Sequence, residues 1–344
     1  MNRPLRIGII GVGGIAALHR EGYLAGGADV VALADVHAPT LAARAGAWGV
    51  TRTHADYREM LAAGGLDAVS ICLPTALHHP ATLAAAAAGI HVLCEKPLAL
   101  DLAQADEIIA ACRAAGVVLM VNHQLRSHAA GDLARRMLAA GDLGTLTHLR
   151  LRQAHDWAGA REVKPSFATR ALAGGGTLLD NGCHLMDLAR YLGGDVEEVF
   201  ARLARRKYDV EVEDTAHVSL AFESGAIGTA EVAWTATGWE EGWWLYGTEG
   251  TFEYTNRTGV PVVRHAHRTS PGTTWGDTDV TEHRFAGGSA HARHVMAFLE
   301  ATRGERPVAC TGEDGREAVR LILASYESAQ LGRPVRARGD FDPL

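Results

Sequence analysis

At 344 residues the chain is longer than the about 250–300 residues at which a single core stops growing, so two domains are expected. A composition of 47% hydrophobic and 21% charged residues excludes a largely disordered chain. The net charge of −7 argues against nucleic acid or an acidic membrane surface as a partner, because either needs a basic footprint.

No stretch approaches the about 18 uninterrupted apolar residues of a membrane span. The N-terminus runs directly into a strand without an apolar leader, so a cytoplasmic location is expected. Cys72, Cys94, Cys112, Cys183 and Cys310 are scattered without a C-x-x-C pair. They suit a reducing compartment, carry no zinc signature and read as small buried hydrophobes.

An apolar strand over 5–10 leads straight into Gly11-Val12-Gly13-Gly14-Ile15-Ala16, a G-x-G-x-x-A pattern. The first glycine permits a tight turn, the second lets a pyrophosphate approach the backbone, and Ala16 allows close helix packing. A helix over 15–23 and a strand over 30–34 follow, and that strand ends at Asp35. Asp35 lies 24 positions after Gly11, the spacing of an acid that bonds the adenosine ribose, so a dinucleotide site is predicted. Its carboxylate repels a 2′-phosphate and no arginine follows it directly, which favours NAD over NADP; Arg44, on the next helix, is the base that could reverse this.

The alternation continues with a strand over 68–73 ending at Pro74-Thr75 and an alanine-rich helix over 79–88. The strand 91–94 then runs into Glu95-Lys96-Pro97, and a helix over 102–115 precedes a strand over 117–121 that reaches Asn122-His123. This predicts an α/β fold, a Rossmann-type doubly wound parallel sheet over 1–124. Ligands bind beyond the carboxyl ends of such strands, where Pro74, Thr75, His78, Glu95, Lys96 and Asn122 fall. Lys96 is a candidate for chemistry, and a turn that merely ends a strand fits the stretch equally well. His78 and His79 fit a solvent-facing helix start as well as a cofactor contact.

Beyond about residue 126 the pattern changes. A helix over 129–140 precedes alternating segments at 146–154, 196–203, 215–222, 226–234, 243–247 and 251–254. Strands without intervening helices predict an open, mainly antiparallel sheet, so 125–344 is read as an α+β domain for substrate binding and oligomerisation. Residues 263–282 read as a long loop, and helices over 290–302 and 315–330 close the chain for packing. Trp234, Trp239, Trp243 and Trp244 form an aromatic cluster suited to a sugar face, sheet packing or a subunit interface alike. A homo-dimer or homo-tetramer is expected, because such a sheet leaves an apolar face that one covering layer does not hide.

Within this domain Gly174-Gly175-Gly176 leads into a helix on which Asp180, His184 and Asp187 share one face. An Asp and a His one turn apart can act together, the carboxylate orienting the imidazole; a solvated helix face is the plain alternative. A third metal ligand is lacking, so no metal is expected.

Taken together, Gly11 to Ala16, Glu95-Lys96-Pro97 and Gly174 to Asp187 resemble the glucose-fructose oxidoreductase / inositol dehydrogenase (Gfo/Idh/MocA) family in order and spacing. Val212-Glu213-Asp214-Thr215 and Tyr246-Gly247-Thr248-Glu249-Gly250 look like its sheet segments. The resemblance implies a catalytic Lys96 with the Asp180 and His184 pair around one interdomain pocket, and a small polyol or sugar substrate. It contributes to the expectation that the Lys96–Pro97 bond is cis.

On this reading hydride leaves a ring carbon for NAD while the hydroxyl loses its proton to His184. Lys96 stabilises the developing oxyanion and Asp180 orients the substrate or the His184–Lys96 pair. His123, His155, Trp157, Lys164 and Arg170 are further candidate substrate contacts, and Val12, Gly13, Gly14 and Ile15 join Gly11 as cofactor contacts. The alternatives are an NADP(H)-linked reductase of keto-sugars or sugar nucleotides, and, from a different class, a dinucleotide-binding protein without catalysis.

Overall fold

The computed structural model describes residues 3–156, 168–257, 259, 261–268, 278–283, 288–339 and 341. The chain divides into two compact units: Met1–Ser127 with Gly288–Val319, and His128–Gly287 with Arg320–Leu344.

In the first unit, strands β1 (Arg6–Ile10), β2 (Asp29–Ala34), β3 (Arg52–His54), β4 (Ala68–Ile71), β5 (His91–Cys94) and β6 (Leu119–Val121) are all parallel and lie in the order β3-β2-β1-β4-β5-β6. Helices α1 (Gly14–Ala25), α2 (Ala38–Trp48), α3 (Tyr57–Ala62), α4 (His78–Ala87) and α5 (Leu102–Ala115) connect them. The order reverses between β1 and β4, so the crevice of this doubly wound sheet opens at their carboxyl ends.

The period of two in each strand sends alternate side chains to opposite faces. Val69, Ile71, Val92, Cys94, Leu119 and Val121 pack with Ala81, Ala85, Ala105 and Ile108 of α4 and α5. Ile7, Ile9, Ala68, Leu93 and Met120 meet Ala16 and Tyr23 of α1 on the other face. There the first 127 residues provide only α1 and α2, too little to cover a sheet six strands wide. The helix Ala290–Thr302 completes the layer with Val295, Phe298 and Leu299, all fully buried, each worth about 1.5–3 kcal/mol.

That helix is pinned to the end of β6. His294 Nε2 donates to the Val121 carbonyl at 2.9 Å, and Arg293 Nε donates to the Ser127 carbonyl at 2.7 Å. A division into 1–124 and 125–344 therefore leaves out this returning segment. A local pattern of apolar residues shows that a helix buries a face, not which sheet it buries it against.

In the second unit, nine strands are found among the described residues. They are β7 (Leu146–Asp156), β8 (Val196–Ala204), β9 (Thr215–Phe222), β10 (Ile227–Ala233), β11 (Thr235–Gly247), β12 (Gly250–Asn256), β13 (Val262–Arg268), β14 (Thr278–His283) and β15 (Val335–Arg336). Their order is β14-β13-β12-β11-β7-β10-β9-β8-β15, antiparallel throughout except for the β7–β10 pair. In β9, Ala216, Val218, Leu220 and Phe222 are buried while His217 is exposed, the alternation of a sheet covered on one face. Helix α6 (Ala129–Ala140) and the almost wholly buried helix Gly182–Gly193 belong to this unit.

Residues 263–282, expected to form a long loop, lie where described on a pair of edge strands. Arg264 of β13 pairs in register with Glu253 of β12, and β14 is exposed along nearly its whole length. Such strands carry little apolar alternation, so their pairing partner makes them, and polarity alone misleads.

The α1 contact with the returning helix is close enough to test. A Cβ on Gly22 would lie 2.5 Å from Val295 Cβ, whereas one on Gly46 of α2 meets nothing within 4 Å. Alanine gains about 1 kcal/mol over glycine in a helix interior, against about 1–3 kcal/mol for overpacking. Gly22→Ala is expected to lower stability in urea and Gly46→Ala to raise it by up to about 1 kcal/mol. Equal gains at both positions would remove the returning helix from this face.

Candidate active site

The glycine turn is shaped by what approaches it. Gly11 has φ +84°, and a Cβ there would come within 2.4 Å of the Cys72 carbonyl oxygen, so only glycine fits. Gly13 and Gly14 face open space. Gly13 is the N-cap of α1 with no side-chain cap, and no acid stands in the first turn, which leaves the first amides of α1 available to an anion. Val12 is buried and Ile15 half-buried against this turn.

Asp35 stands at the end of β2. Its Oδ2 accepts from Val12 N and its Oδ1 from His37 N, both at 2.8 Å. A carboxylate has about four lone-pair directions, so two amides orient it and leave capacity for ribose hydroxyls. Arg44 Nε donates to the Val12 carbonyl at 3.3 Å, and its guanidinium lies over Trp48, as does that of Arg20.

Pro74 and Thr75 follow β4, and Thr75–Leu77 forms a 3-10 turn. His78 is 1% exposed, so the solvent-facing reading fails for it. Its Nδ1 lies 2.8 Å from the Pro97 carbonyl oxygen and its Nε2 2.9 Å from that of Leu73. Burial pushes the ring's pKa down, and a neutral imidazole has one N–H, so it donates to one carbonyl at a time. The ring braces two loops and has no nitrogen left for a cofactor. His79 instead pairs with Glu107 at 2.7 Å on the surface.

Lys96 ends β5, partly buried, and the Lys96–Pro97 bond is cis. Beneath it lies a closed polar chain. Glu95 Oε1 takes His19 Nε2 at 2.8 Å and Asn122 Nδ2 at 2.5 Å, and Oε2 takes Lys96 N at 3.2 Å. His19 Nδ1 meets Ser70 Oγ at 2.8 Å, which meets Tyr23 OH at 2.6 Å. His19 Nε2–H donates to the Glu95 carboxylate, and Nδ1, Ser70 Oγ and Tyr23 OH continue the chain, so each group has a partner.

Burial alone would raise the Glu95 pKa. The His19 hydrogen bond and the charges of His19, Lys96 and His291 outweigh it and hold the carboxyl at about 2. Glu95 thus serves the lysine turn rather than presenting its carboxylate outward. Asn122 Oδ1 remains a buried acceptor without a protein partner, and with the open Gly13–Gly14 turn it is what a bound dinucleotide would meet. His123 is fully buried, against the direct substrate contact expected of it.

In the second unit the glycine run is again a matter of close approach. A Cβ on Gly176 would lie 1.9 Å from the Glu213 carbonyl oxygen, and one on Gly175 2.0 Å from Tyr326 OH. The buried Glu213 carboxylate accepts from Gly176 N, Leu178 N at 2.9 Å and Tyr326 OH at 2.8 Å, fixing the turn from which Asp180 projects. Asp180 closes a one-turn helix, Thr177–Asp180, and His184 belongs to the next, Gly182–Gly193; Asn181 interrupts the single helix expected between them. His184 is 5% exposed and Asp187 fully buried, so the face is not solvated.

His155, at the end of β7, accepts from Asn181 Nδ2 at 2.9 Å and stacks on Trp239 at 5.1 Å. The adjacent Asp156 is held by Lys207 at 2.7 Å. Arg170 is exposed, with its backbone amide on Glu211, and Trp157 and Lys164 lie outside the described residues.

The four tryptophans have separate neighbours: Trp234 packs on Val210 and Val212, Trp243 on His128 and Tyr254, Trp244 under Arg150, and Trp239 on His155. Reading the sequence missed His19, Asn181, Glu213, Tyr326 and His291. Only the neighbouring Glu213-Asp214 pair inside an apolar stretch hinted at any of them. No group of three or more His, Cys, Asp or Glu side chains among the described residues is placed to hold a metal.

Residues 5–123 match the oxidoreductase family with an NAD-binding Rossmann fold, and residues 132–253 match the GFO/IDH/MocA C-terminal domain. The chain is 33% identical to the 1,5-anhydro-D-fructose reductase of Ensifer adhaerens, over 95% of this chain and 97% of that protein. It is 29% identical to the myo-inositol 2-dehydrogenase of Thermotoga maritima, over 96% and 98%. Among solved structures, GenD2 from gentamicin A biosynthesis in complex with NAD superposes with a TM-score of 0.84 at 27% identity, over 98% of this chain and 97% of that one.

Glu95 has a consequence for acid stability. Its pKa falls from 4.5 to about 2 on folding, so its stabilisation is complete above about pH 4.5 and is lost as pH falls towards 2. In that window the unfolded chain binds the extra proton. Stability measured at steps of pH should therefore fall less steeply in Glu95→Gln, by up to about 1.4 kcal/mol per pH unit. Parallel acid limbs would show that the carboxyl is not depressed.

Proposed function

The chain belongs to the GFO/IDH/MocA family of NAD-binding oxidoreductases, and from this we propose that it oxidises a ring CH–OH of a sugar, sugar derivative or inositol-type cyclitol. The observation that carries the reading is a lysine at the carboxyl end of β5, beside a buried anionic Glu95 and the buried, unpartnered acceptor of Asn122. Bound NAD supplies the hydride acceptor.

The chain's own residues handle the proton and the charge. As the C–H bond of the alcohol carbon gives up its electron pair with the hydrogen, the O–H proton passes to His184. The oxygen keeps its pair to form the carbonyl, and the Lys96 ammonium donates to that oxygen while charge builds on it. Asp180 orients the hydroxyl or the imidazole. The names of relatives such as myo-inositol 2-dehydrogenase support a polyol substrate.

A reductive, NADPH-linked role is the second reading. Arg44 and Arg20, stacked about Trp48 near the Val12–Asp35 contact, are the groups that could receive a 2′-phosphate. We favour NAD on the charge of Asp35. The free sheet face, with Ile227 and Val280 more than half exposed, supports a homo-oligomer. Among the described residues no helix is long and apolar enough to cross a membrane.

NAD is expected to bind about tenfold or more tighter than NADP, with Asp35→Ser narrowing the gap. Tighter NADP binding, lost in Arg44→Ala, would favour the reductive reading. On a panel of myo-inositol, levoglucosan and D-xylose with NAD, Lys96→Ala and His184→Ala should each cut turnover about 100-fold or more while NAD affinity holds. A His184→Ala enzyme with wild-type turnover at neutral pH defeats the proton route. Absence of turnover across a wide sugar and cyclitol panel, in both directions and with both cofactors, would favour a non-catalytic binding protein.

A further inference from the structure

The chain Tyr23, Ser70, His19, Glu95 lies wholly inside the first unit and ends at the backbone of Lys96. At its far end it does not reach solvent, since Tyr23, Ser70 and His19 are all 0% exposed. A proton relay needs an exit, so this one has no relay to perform. What it does is immobilise a carboxylate. His19 is held at Nδ1 by Ser70 and presents Nε2–H to the Glu95 carboxylate, and Asn122 secures the same oxygen.

We propose that Glu95, held by His19, is a positioning residue that keeps Lys96 as an ammonium ion, so that the lysine acts as a charged hydrogen-bond donor to the reacting oxygen and never as the base. The inference rests on the catalytic reading of Lys96 above, and extends it to residues behind the lysine.

Around Glu95 stand His19 from α1, His78 from α4, His291 from the returning helix, Tyr23, and the thiols of Cys72 and Cys94 after β4 and at the end of β5. Burial pushes both thiols and Tyr23 up, so they stay protonated and neutral. Burial pushes His78 down, and it brings His291 to about 4 against the pull of Glu95, with His19 and Lys96 lowering it further. Among these groups the Glu95 carboxyl ionises well below neutrality, and the His291 imidazole is neutral there. A fixed carboxylate beside the lysine favours the charged amine and so opposes the burial that would free its proton.

The test reads the lysine directly and needs no substrate. Trace reductive methylation with formaldehyde and cyanoborohydride from pH 6 to 11 modifies only the unprotonated amine, and mass spectrometry of the peptide containing Lys96 gives its midpoint. The wild-type midpoint is expected at or above about 10.4, the ordinary lysine value. It should fall by about one unit or more in Glu95→Gln and in His19→Phe, and recover in part in His19→Gln, which retains an N–H donor. His291→Phe should leave it unmoved.

A wild-type midpoint near 8 would make Lys96 a base and overturn the inference even if no variant folds. So would identical midpoints in wild type and Glu95→Gln. In turnover, Glu95→Gln should lower kcat about tenfold at unchanged NAD affinity, and the high-pH limb should move down with the labelling midpoint. If Lys96→Ala turns over normally, the catalytic reading fails while the labelling result stands. If Lys96→Ala is inactive and Glu95→Gln matches wild type in both measurements, only the present inference fails.

Discussion

A parallel sheet must be covered on both faces, because its strands carry apolar side chains on both. In the first unit that demand exceeds what the local βα alternation supplies: α1 and α2 cover β1, β2 and their neighbours but leave Leu93 and Met120 of β5 and β6 to be met by something else. A helix from more than 160 positions downstream meets them. Its apolar stripe is the reason it docks, and His291 is placed beside Glu95 and Lys96 as a result. A titratable group thus reaches the lysine's surroundings through hydrophobic coverage rather than through any motif.

Two buried glutamates show how partners decide the fate of a charge. Glu95 and Glu213 both lose water, and both accept hydrogen bonds from backbone and side-chain donors. Glu95 also has the charges of Lys96, His19 and His291 acting on it, and its pKa falls. Glu213 has amides and the Tyr326 hydroxyl, and burial outweighs them, so its pKa rises. The stability signs are opposite: ionisation of Glu95 stabilises the fold, and ionisation of Glu213 costs it as pH rises above the ordinary glutamate value. Both anchor a turn that carries a candidate functional side chain, Lys96 in one case and Asp180 in the other.

The features of this architecture that local chemistry dictates were legible in the sequence. The β1-Gly11-α1 turn, the acid ending β2 and the lysine ending β5 follow from period, turn residues and spacing, and the helices at 102–115, 129–140 and 290–302 fall where apolar spacing and caps put them. What was not legible depends on distant pairs. His78 opens an alanine-rich helix two residues before Pro80, and nothing local tells that its ring faces the carbonyls of Leu73 and Pro97. Strands β13 and β14 are mostly polar, apart from the buried Val263, and pair outward from the edge that β12 offers. The glycines at 175 and 176 announce a close approach, yet only the fold names Tyr326 and Glu213 as what approaches.

The state of Lys96 bears on how the chemistry divides. Oxidation of an alcohol releases one proton, and two nitrogen bases at one oxygen would compete for it. A lysine buried among apolar groups sheds its proton readily and would be that base. Lys96 is instead backed by a carboxylate with both oxygens occupied by donors, one of them on an imidazole whose other nitrogen is held by Ser70. A carboxylate so held is costly to protonate and cannot swing away, and its field favours the ammonium. On the proposed reading a lysine held as an ammonium contributes to the developing oxyanion, a contribution worth most where water is excluded. The proposed reading then gives proton acceptance to the His184 imidazole.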